Sequence, residues 1–167
     1  WRFYDDYQFK ERAAMGASFE SAVAEASAGK TEALAALTAL AEKKTGSYPA
    51  LARFRLATEL AKSAKDDAGR ANAVSAFDTL AADATIPADW RDIAKLRAGF
   101  LLIETGAYDD VEKRLMPLVS PESIYRHSGR EGIALAAYRA GKPEKALDAL
   151  QAIILDSESP SGLRQRA

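Results

Sequence analysis

Apolar residues recur at helical spacing along most of the chain, and the clearest stretch runs from Ala88 to Leu118. The first helix predicted there follows Pro87, and proline fits a helix start because the N–H it lacks is not needed there. The apolar positions of this helix follow the i, i+3, i+4 spacing of one buried face: Ile93, Leu96, Phe100 and Ile103. This spacing predicts a helix with one side packed on a core.

A glycine turn and a second helix come next. Gly106 is expected to end the first helix, because glycine readily adopts the left-handed conformation of a C-terminal cap. Asp109 and Asp110 then fall in the first turn of the second helix, where acidic side chains complement the helix dipole. Its apolar stripe is Val111, Leu115 and Leu118. The stretch therefore predicts an antiparallel helix hairpin, which needs neighbouring copies to bury its faces.

Similar spacing predicts helices along the rest of the chain, and no stretch convincingly predicts a β-strand. The expected helices cover residues 4–28, 31–44, 47–64 and 70–84, and further helices begin near 128, 143 and 160. Gly29 and Gly46 end the first two, and Ser47 caps the third. Ser128 and Glu131 match the Ser-x-x-Glu capping box. Burial is expected for Leu34, Leu37 and Leu40 in the second helix, and for Ala146, Leu147, Leu150 and Ile154 in the eighth.

Two glycines 35 residues apart (141 − 106), Gly106 and Gly141, mark an internal repeat. Two apolar positions follow each glycine at the same distances: Val111 and Leu115 in one copy, Ala146 and Leu150 in the next, with Ala73 and Phe77 in an earlier copy. A period in the mid-thirties to low forties, with two helices per unit, predicts an α-solenoid. We expect an all-α fold of about four antiparallel hairpins, forming a single domain over residues 1–167.

Composition and charge exclude several classes of function. The 167 residues are 48% hydrophobic and 28% charged, with a net charge of −1, so no basic surface for nucleic acid is expected. The chain has no cysteine, which removes disulfides and thiolate metal sites. No window approaches 18 apolar residues, so no membrane span is expected within the chain.

Residues that could perform catalysis are few and scattered. His127 is the only histidine, and no further ligands lie near it at the spacing a metal site needs. The carboxylate pairs Asp5–Asp6, Asp66–Asp67 and Asp109–Asp110 fall at predicted helix starts or turns, where they satisfy free N–H groups. The glycines stand singly and form no phosphate loop. We therefore expect a protein that is not an enzyme and that holds no metal and no cofactor.

A protein-binding groove is the remaining candidate for function, because the first helices of stacked hairpins line the inner side of a solenoid. Leu51–Arg55 and Ile93–Arg97 share an apolar-Ala-basic-apolar-Arg pattern, which gives Arg55 and Arg97 equivalent repeat positions. The predicted groove residues are Phe54, Arg55 and Thr58 in one hairpin, Leu96, Arg97 and Phe100 in the next, and Glu131, Leu135 and Tyr138 in the last. The alternative is that the apolar members are core residues and the arginines are merely solvated.

The repeat positions resemble the tetratricopeptide repeat family. The glycine between the two helices of that repeat corresponds to Gly106 and Gly141, and the tyrosine two residues later corresponds to Tyr108 but to Pro143 in the next copy. The small residue of the second helix corresponds to Ala73, Val111 and Ala146, and the bulky apolar residue to Phe77, Leu115 and Leu150. The resemblance implies a protein-binding solenoid.

More narrowly, the chain is similar to the tetratricopeptide-like domain of the ancillary Sec-translocon subunit family. The matching segments are Phe19–Ala22, Tyr48–Ala52, Trp90–Ala94 and Pro160–Arg164, together with the aromatic opening segment. This resemblance implies a single membrane anchor upstream, which residues 1–28 would follow as a long helix. It also implies a domain on the periplasmic face of the inner membrane, with the Sec translocon and periplasmic chaperones as protein partners.

Two alternatives stay open at this point. Aromatic residues crowd the start of the chain, as they do where a chain leaves a bilayer or where a first helical turn packs on its domain: Trp1, Phe3, Tyr4, Tyr7 and Phe9. The domain could also be a self-associating structural module that pairs through its first or last helix instead of binding other proteins.

Overall fold

The structure, a computed structural model, describes residues 2–29, 32–43 and 48–167, with side chains from residue 10 onward. Within these ranges the backbone forms helices joined by turns and contains no β-strand, which confirms the all-α prediction. The chain divides into two compact units, Trp1–Ser63 and Ala64–Ala167. Consecutive helices pack against each other within each unit, an arrangement compatible with an α-solenoid.

The described residues of unit 1 form α1 (Arg2–Ser27), α2 (Glu32–Ala41) and α3 (Tyr48–Ser63), and each helix contacts the other two. The buried cluster between them consists of alanines and leucines: Ala22, Ala26, Ala33, Leu37, Leu40 and Ala52. Alanine favours the helical conformation, and its small side chain allows close helix packing. The alanine-rich composition of this region is therefore explained by its core.

Most expectations for unit 1 agree with the structure. Gly29 ends α1 with a left-handed φ of 78°, as a C-terminal cap requires. Leu37 and Leu40 are buried as predicted, whereas Leu34 is 42% exposed, so its predicted burial was wrong. The expected helix end at Gly46 and the expected cap at Ser47 lie outside the described residues.

Unit 2 contains the remaining helices: α4 (Asp67–Ala82), α5 (Ala88–Leu102), α6 (Tyr108–Leu115), a 3-10 helix (Met116–Leu118), α7 (Arg126–Arg139), α8 (Pro143–Leu155) and α9 (Ser161–Arg166). α5 contacts α7 as well as α6, as successive first helices do in stacked hairpins. The starts of α6 and α8 lie 35 residues apart (143 − 108), and so do those of α7 and α9 (161 − 126). The period found in the sequence therefore recurs in the helix positions.

Leu115 lies at the centre of unit 2 and is completely buried. A Cβ atom placed on Gly99 of α5 would lie 2.5 Å from its Cδ2 atom, and one placed on Gly132 of α7 would lie 2.5 Å from its Cδ1 atom. Both distances are far below van der Waals contact, so the two glycines leave the space that the leucine fills. Leu115 thus joins α6 to both neighbouring first helices.

The predicted inner face of α5 is confirmed only in part, since Leu96 and Ile103 pack against the core of unit 2 but are only partly buried. Ile93 and Leu96 are only half-buried and Phe100 is 37% exposed, whereas the buried positions are Ala94, Ala98 and Gly99. The physical reason is helix approach, since small side chains allow neighbouring helices to come close and Leu115 fills the space beside Gly99. Phe100, the largest of the predicted residues, therefore stays partly exposed.

The two repeat glycines lie in different bends, contrary to the expected equivalence. Gly141 has a left-handed φ of 67°, and Lys142 N–H donates to Ala137 O across the bend. Gly106 has no positive φ. Its N–H donates to Leu102 O at 2.7 Å, and a Cβ atom there would lie 2.9 Å from that oxygen. Close backbone approach therefore explains the glycine at position 106.

The predicted capping box does not form. α7 begins at Arg126, so Ser128 lies inside its first turn rather than before it, and Glu131 instead pairs with Arg166. Pro143, in contrast, starts α8 as predicted.

Replacing Gly132 with alanine should lower the free energy of unfolding by about 1–3 kcal/mol, because the added methyl group overpacks the site held by Leu115. The matched control is Gly162→Ala, since a Cβ atom there would lie 4.0 Å from its nearest neighbour, Arg166 Nη1. The control should leave stability unchanged or raise it slightly, as alanine favours helices over glycine. Urea denaturation followed by circular dichroism measures both, and equal stability of the two variants would contradict this packing.

Candidate protein-binding surface

Predicted groove residues of α5 and α7 form an exposed apolar area in unit 2. The Phe100 ring lies against α7, because a Cβ atom on Gly132 would be 3.1 Å from Phe100 Cε2. Leu135 and Tyr138 follow Glu131 at helical spacing on α7 and are 46% and 77% exposed. We call Phe100, Leu135 and Tyr138 the α5–α7 surface.

Charged groups flank the α5–α7 surface. Arg97 lies one turn before Phe100, and its guanidinium carbon is 6.0 Å from the centre of the Phe77 ring. This contact is a cation–π interaction and leaves the positive charge of Arg97 available to an acidic partner. Glu131 is paired with Arg166 at 2.8 Å. Leu96, the remaining predicted residue of α5, is half-buried against the core of unit 2.

The predicted groove residues of unit 1 lie on α3 and are engaged within that unit. Arg55 Nη2 donates to Ser27 Oγ of α1 at 2.8 Å and forms an ion pair with Glu59 at 2.8 Å. The Thr58 hydroxyl donates to Phe54 O at 2.9 Å. Arg55 and Arg97 therefore have different contacts, although their sequence patterns match.

An apolar opening of about 480 Å³ in unit 1 was not expected from the sequence. Leu34 and Leu60 line it, and each is 42% exposed. The hydroxyls of Thr38 and Ser63 in its wall donate to carbonyl oxygens of their own helices. The opening is therefore mainly apolar in character, and Leu34, which the sequence pattern had placed inside, lines it.

His127 belongs to an ionic cluster and lies in the first turn of α7. Asp156 accepts hydrogen bonds from Arg126 Nε and Arg130 Nη1, both at 2.9 Å, and Arg126 also pairs with Glu158. These bonds to the guanidinium groups hold the pKa of Asp156 far below its usual range. The cluster ties α7 to the C-terminal end of α8.

Burial lowers the pKa of His127, and the nearby positive charges of Arg126 and Arg130 lower it further, although Asp156 and Glu158 oppose them. His127 Nδ1 is 3.8 Å from Asp156 Oδ2, too far for a hydrogen bond. Among the residues that the structure describes, no group of three or more His, Asp and Glu side chains could hold a metal ion.

The carboxylate pairs with described side chains act at helix starts. Asp66 accepts a hydrogen bond from Gly69 N–H at 2.7 Å and caps α4, while Asp109 and Asp110 lie in the first turn of α6. The predicted capping role is confirmed for Asp66, and the predicted position in the first turn of a helix is confirmed for Asp109 and Asp110. The side chains of Asp5 and Asp6 lie outside the described residues.

The chain matches no model of a known protein family, no curated protein and no solved structure. Within the described ranges, no helix combines the length and the apolar character needed to cross a membrane.

The stability of the protein should fall as the pH drops below about 6.5, the usual pKa of histidine. The pKa of His127 is lower in the folded state than in the unfolded state, so the unfolded chain binds a proton at a higher pH. Stability is therefore lost as the pH falls from the unfolded-state pKa towards the folded-state pKa. Because the chain has one histidine, His127→Gln should remove this dependence. Urea midpoints measured between pH 7.5 and 5.5 test it, and an unchanged slope in the variant would contradict the assignment.

Proposed function

We propose that this chain is a non-catalytic scaffold that binds other proteins through the α5–α7 surface. The observation that supports it is the exposure of Phe100, Leu135 and Tyr138 on two contacting helices, at 37%, 46% and 77%. Large apolar side chains grouped on a protein surface are typical of interaction sites. Tyrosine and arginine are also the residue types most enriched among those that dominate binding energy.

The proposed mechanism is recognition of an extended or helical peptide. Apolar side chains of the peptide would pack on Leu135 and Tyr138, and a carboxylate would pair with the Arg97 guanidinium. Tyr138 suits this role because its ring offers a large contact area while its hydroxyl can stay in water.

The identity of the partner is proposed from the resemblance to the ancillary Sec-translocon subunit family. On this proposal the protein is a tetratricopeptide repeat-like solenoid held by an anchor upstream of residue 1, on the periplasmic face of the inner membrane. Its partners would be the Sec translocon and periplasmic chaperones, and it would need neither metal nor cofactor. The all-helical fold and the 35-residue offset between helix starts support this proposal.

Site-specific photocrosslinking in bacterial envelopes tests the surface and the partner together. A photoreactive residue at Leu135 or Tyr138 should give discrete crosslinked products that contain a Sec-translocon subunit or a periplasmic chaperone. The same residue at Lys113, exposed on α6 and away from this surface, should not. Equal products from all three positions would contradict the proposal.

Binding measurements with purified components give the size of the loss in affinity. The double variant Leu135→Ala/Tyr138→Ala should weaken binding to solubilised translocon at least about tenfold, because truncating central contact residues commonly costs more than 1 kcal/mol each. Arg97→Glu should weaken binding more at low salt than at high salt, since screening reduces its charge effect. Wild-type affinity in the double variant would rule out this surface.

Self-association is a second candidate, because α8 has an apolar face that the sequence pattern had assigned to the core. Leu147 and Ile154, two turns apart, are 54% and 48% exposed, and the adjacent Leu155 is 82% exposed. Two copies of the chain could bury these residues against each other.

Sedimentation velocity over a range of protein concentrations tests this candidate. If α8 pairs two copies, wild type should dimerise, and Leu147→Asp/Ile154→Asp should be a monomer with unchanged helix content. A wild-type monomer at every concentration would contradict self-association and would leave the α5–α7 proposal unaffected.

A further inference from the structure

An ion pair spans the seam between α4 and α6 in unit 2. Arg114 of α6 donates to both carboxylate oxygens of Asp78 on α4, through Nε at 3.0 Å and Nη2 at 2.7 Å. This bidentate contact also raises the pKa of Arg114. The Arg114–Asp78 pair therefore bridges the space between α4 and α6.

The next seam, between α6 and α8, lacks this ion pair. Phe77 of α4 and Leu115 of α6 occupy the same repeat position and are 38 residues apart (115 − 77). At the same offset, the residue equivalent to Asp78 is Met116. The 35-residue shift from α6 to α8 places Ala149 where Arg114 stood (149 − 114). Lys145 of α8 and Glu112 of α6 form an ion pair across this seam at 3.2 Å, and they are 33 residues apart (145 − 112). Ala149 and Met116 have the same separation of 33 residues (149 − 116) and lie one helical turn further along the chain. Met116 and Ala149 therefore face each other across it.

Where Met116 and Ala149 replace the ion pair, an open groove of about 370 Å³ lies between α6 and α8, and residues of α7 line its base. Much of its lining is apolar: Met116, Val119, Ile133, Ala149 and Ala152. Met116 is 48% exposed, and methionine adapts its flexible side chain to different occupants. We call this feature the α6–α8 groove.

Both basic residues that line the α6–α8 groove form ion pairs, whereas one of its acidic residues does not. Lys145 pairs with Glu112, and Arg130 pairs with Asp156 at 2.9 Å. Asp148, an exposed residue in the groove wall, has no such ion pair among the described residues. The remaining uncompensated charge of the groove is therefore negative, which favours an occupant that brings a positive charge.

We propose that the α6–α8 groove docks an amphipathic helix from another protein. One apolar side chain of that helix enters the space between Met116 and Ala149, and a lysine or arginine beside it pairs with Asp148. An apolar groove between two helices matches the way amphipathic helices bind. The inference does not depend on the proposed function, because the groove shares no residue with the α5–α7 surface.

Selection from a phage-displayed library of helical 16-residue peptides tests the proposal. Selection on wild type, with counter-selection on Met116→Asp/Ala149→Arg, removes peptides that bind elsewhere, because this variant rebuilds the ion pair found between Asp78 and Arg114. We expect enriched peptides that combine apolar residues at i, i+3 or i+4 with an adjacent lysine or arginine. The proposal would be overturned if no peptide were enriched on wild type relative to Met116→Asp/Ala149→Arg, or if the enriched peptides lacked basic residues.

The two methionines of the chain locate the binding site, since Met116 lines the groove and Met15 is buried in unit 1. In methyl NMR spectra, a selected peptide should shift the Met116 signal and leave the Met15 signal unchanged. A Met116 signal that shifts with protein concentration alone would indicate a second copy of the chain as occupant and would overturn the proposal.

Charge reversal tests the role of Asp148. Asp148→Lys should weaken peptide binding about tenfold or more, whereas Glu144→Lys, which changes the charge of the same helix outside the groove, should weaken it less than about twofold. Circular dichroism and an unchanged Met15 signal confirm that both variants are folded. Equal effects of the two substitutions would show that Asp148 makes no specific contact and would overturn this part of the proposal.

Discussion

The packing of unit 2 depends on one side chain, Leu115, which lies between two glycines on different helices. Its methyl groups occupy the space where Gly99 and Gly132 would otherwise have side chains. Protein interiors are packed densely enough that an added methyl group in such a place requires the surroundings to move. This contact therefore sets how closely α5 and α7 approach α6.

The proposed binding surface follows from the same contact. Because Ala94, Ala98 and Gly99 form the buried face of α5, its larger residue Phe100 lies at the edge of the helix, against Gly132. Leu135 lies three residues after Gly132 on α7 and is exposed as well, so both helices expose apolar side chains. The α6–α8 groove has a related origin, since it opens where the repeat replaces an ion pair with Met116 and Ala149. Glycine at positions 99 and 132 thus permits the close packing, and the loss of the ion pair at Met116 and Ala149 accompanies the open groove.

Helix positions were predictable from the sequence, because apolar spacing and proline at a helix start act locally. Pro143 starts α8 and Asp66 caps α4, as these residue types indicate. Which face of α5 is buried was not predictable from hydrophobicity, since the choice of Gly99 over Phe100 depends on a leucine from another helix. The Ser128 capping box does not form because α7 begins two residues earlier, at Arg126, whose side chain pairs with Asp156 and Glu158. Tertiary contacts override local patterns at these positions.

A double-mutant cycle between Leu115 and Gly132 tests the central packing claim most directly, because it isolates the interaction between the two sites. If the Leu115 methyl groups occupy the space beside Gly132, Gly132→Ala should destabilise wild type but be tolerated in the Leu115→Ala background. We predict a coupling free energy of about 1 kcal/mol or more between the two substitutions. Strictly additive effects on the free energy of unfolding would contradict the account.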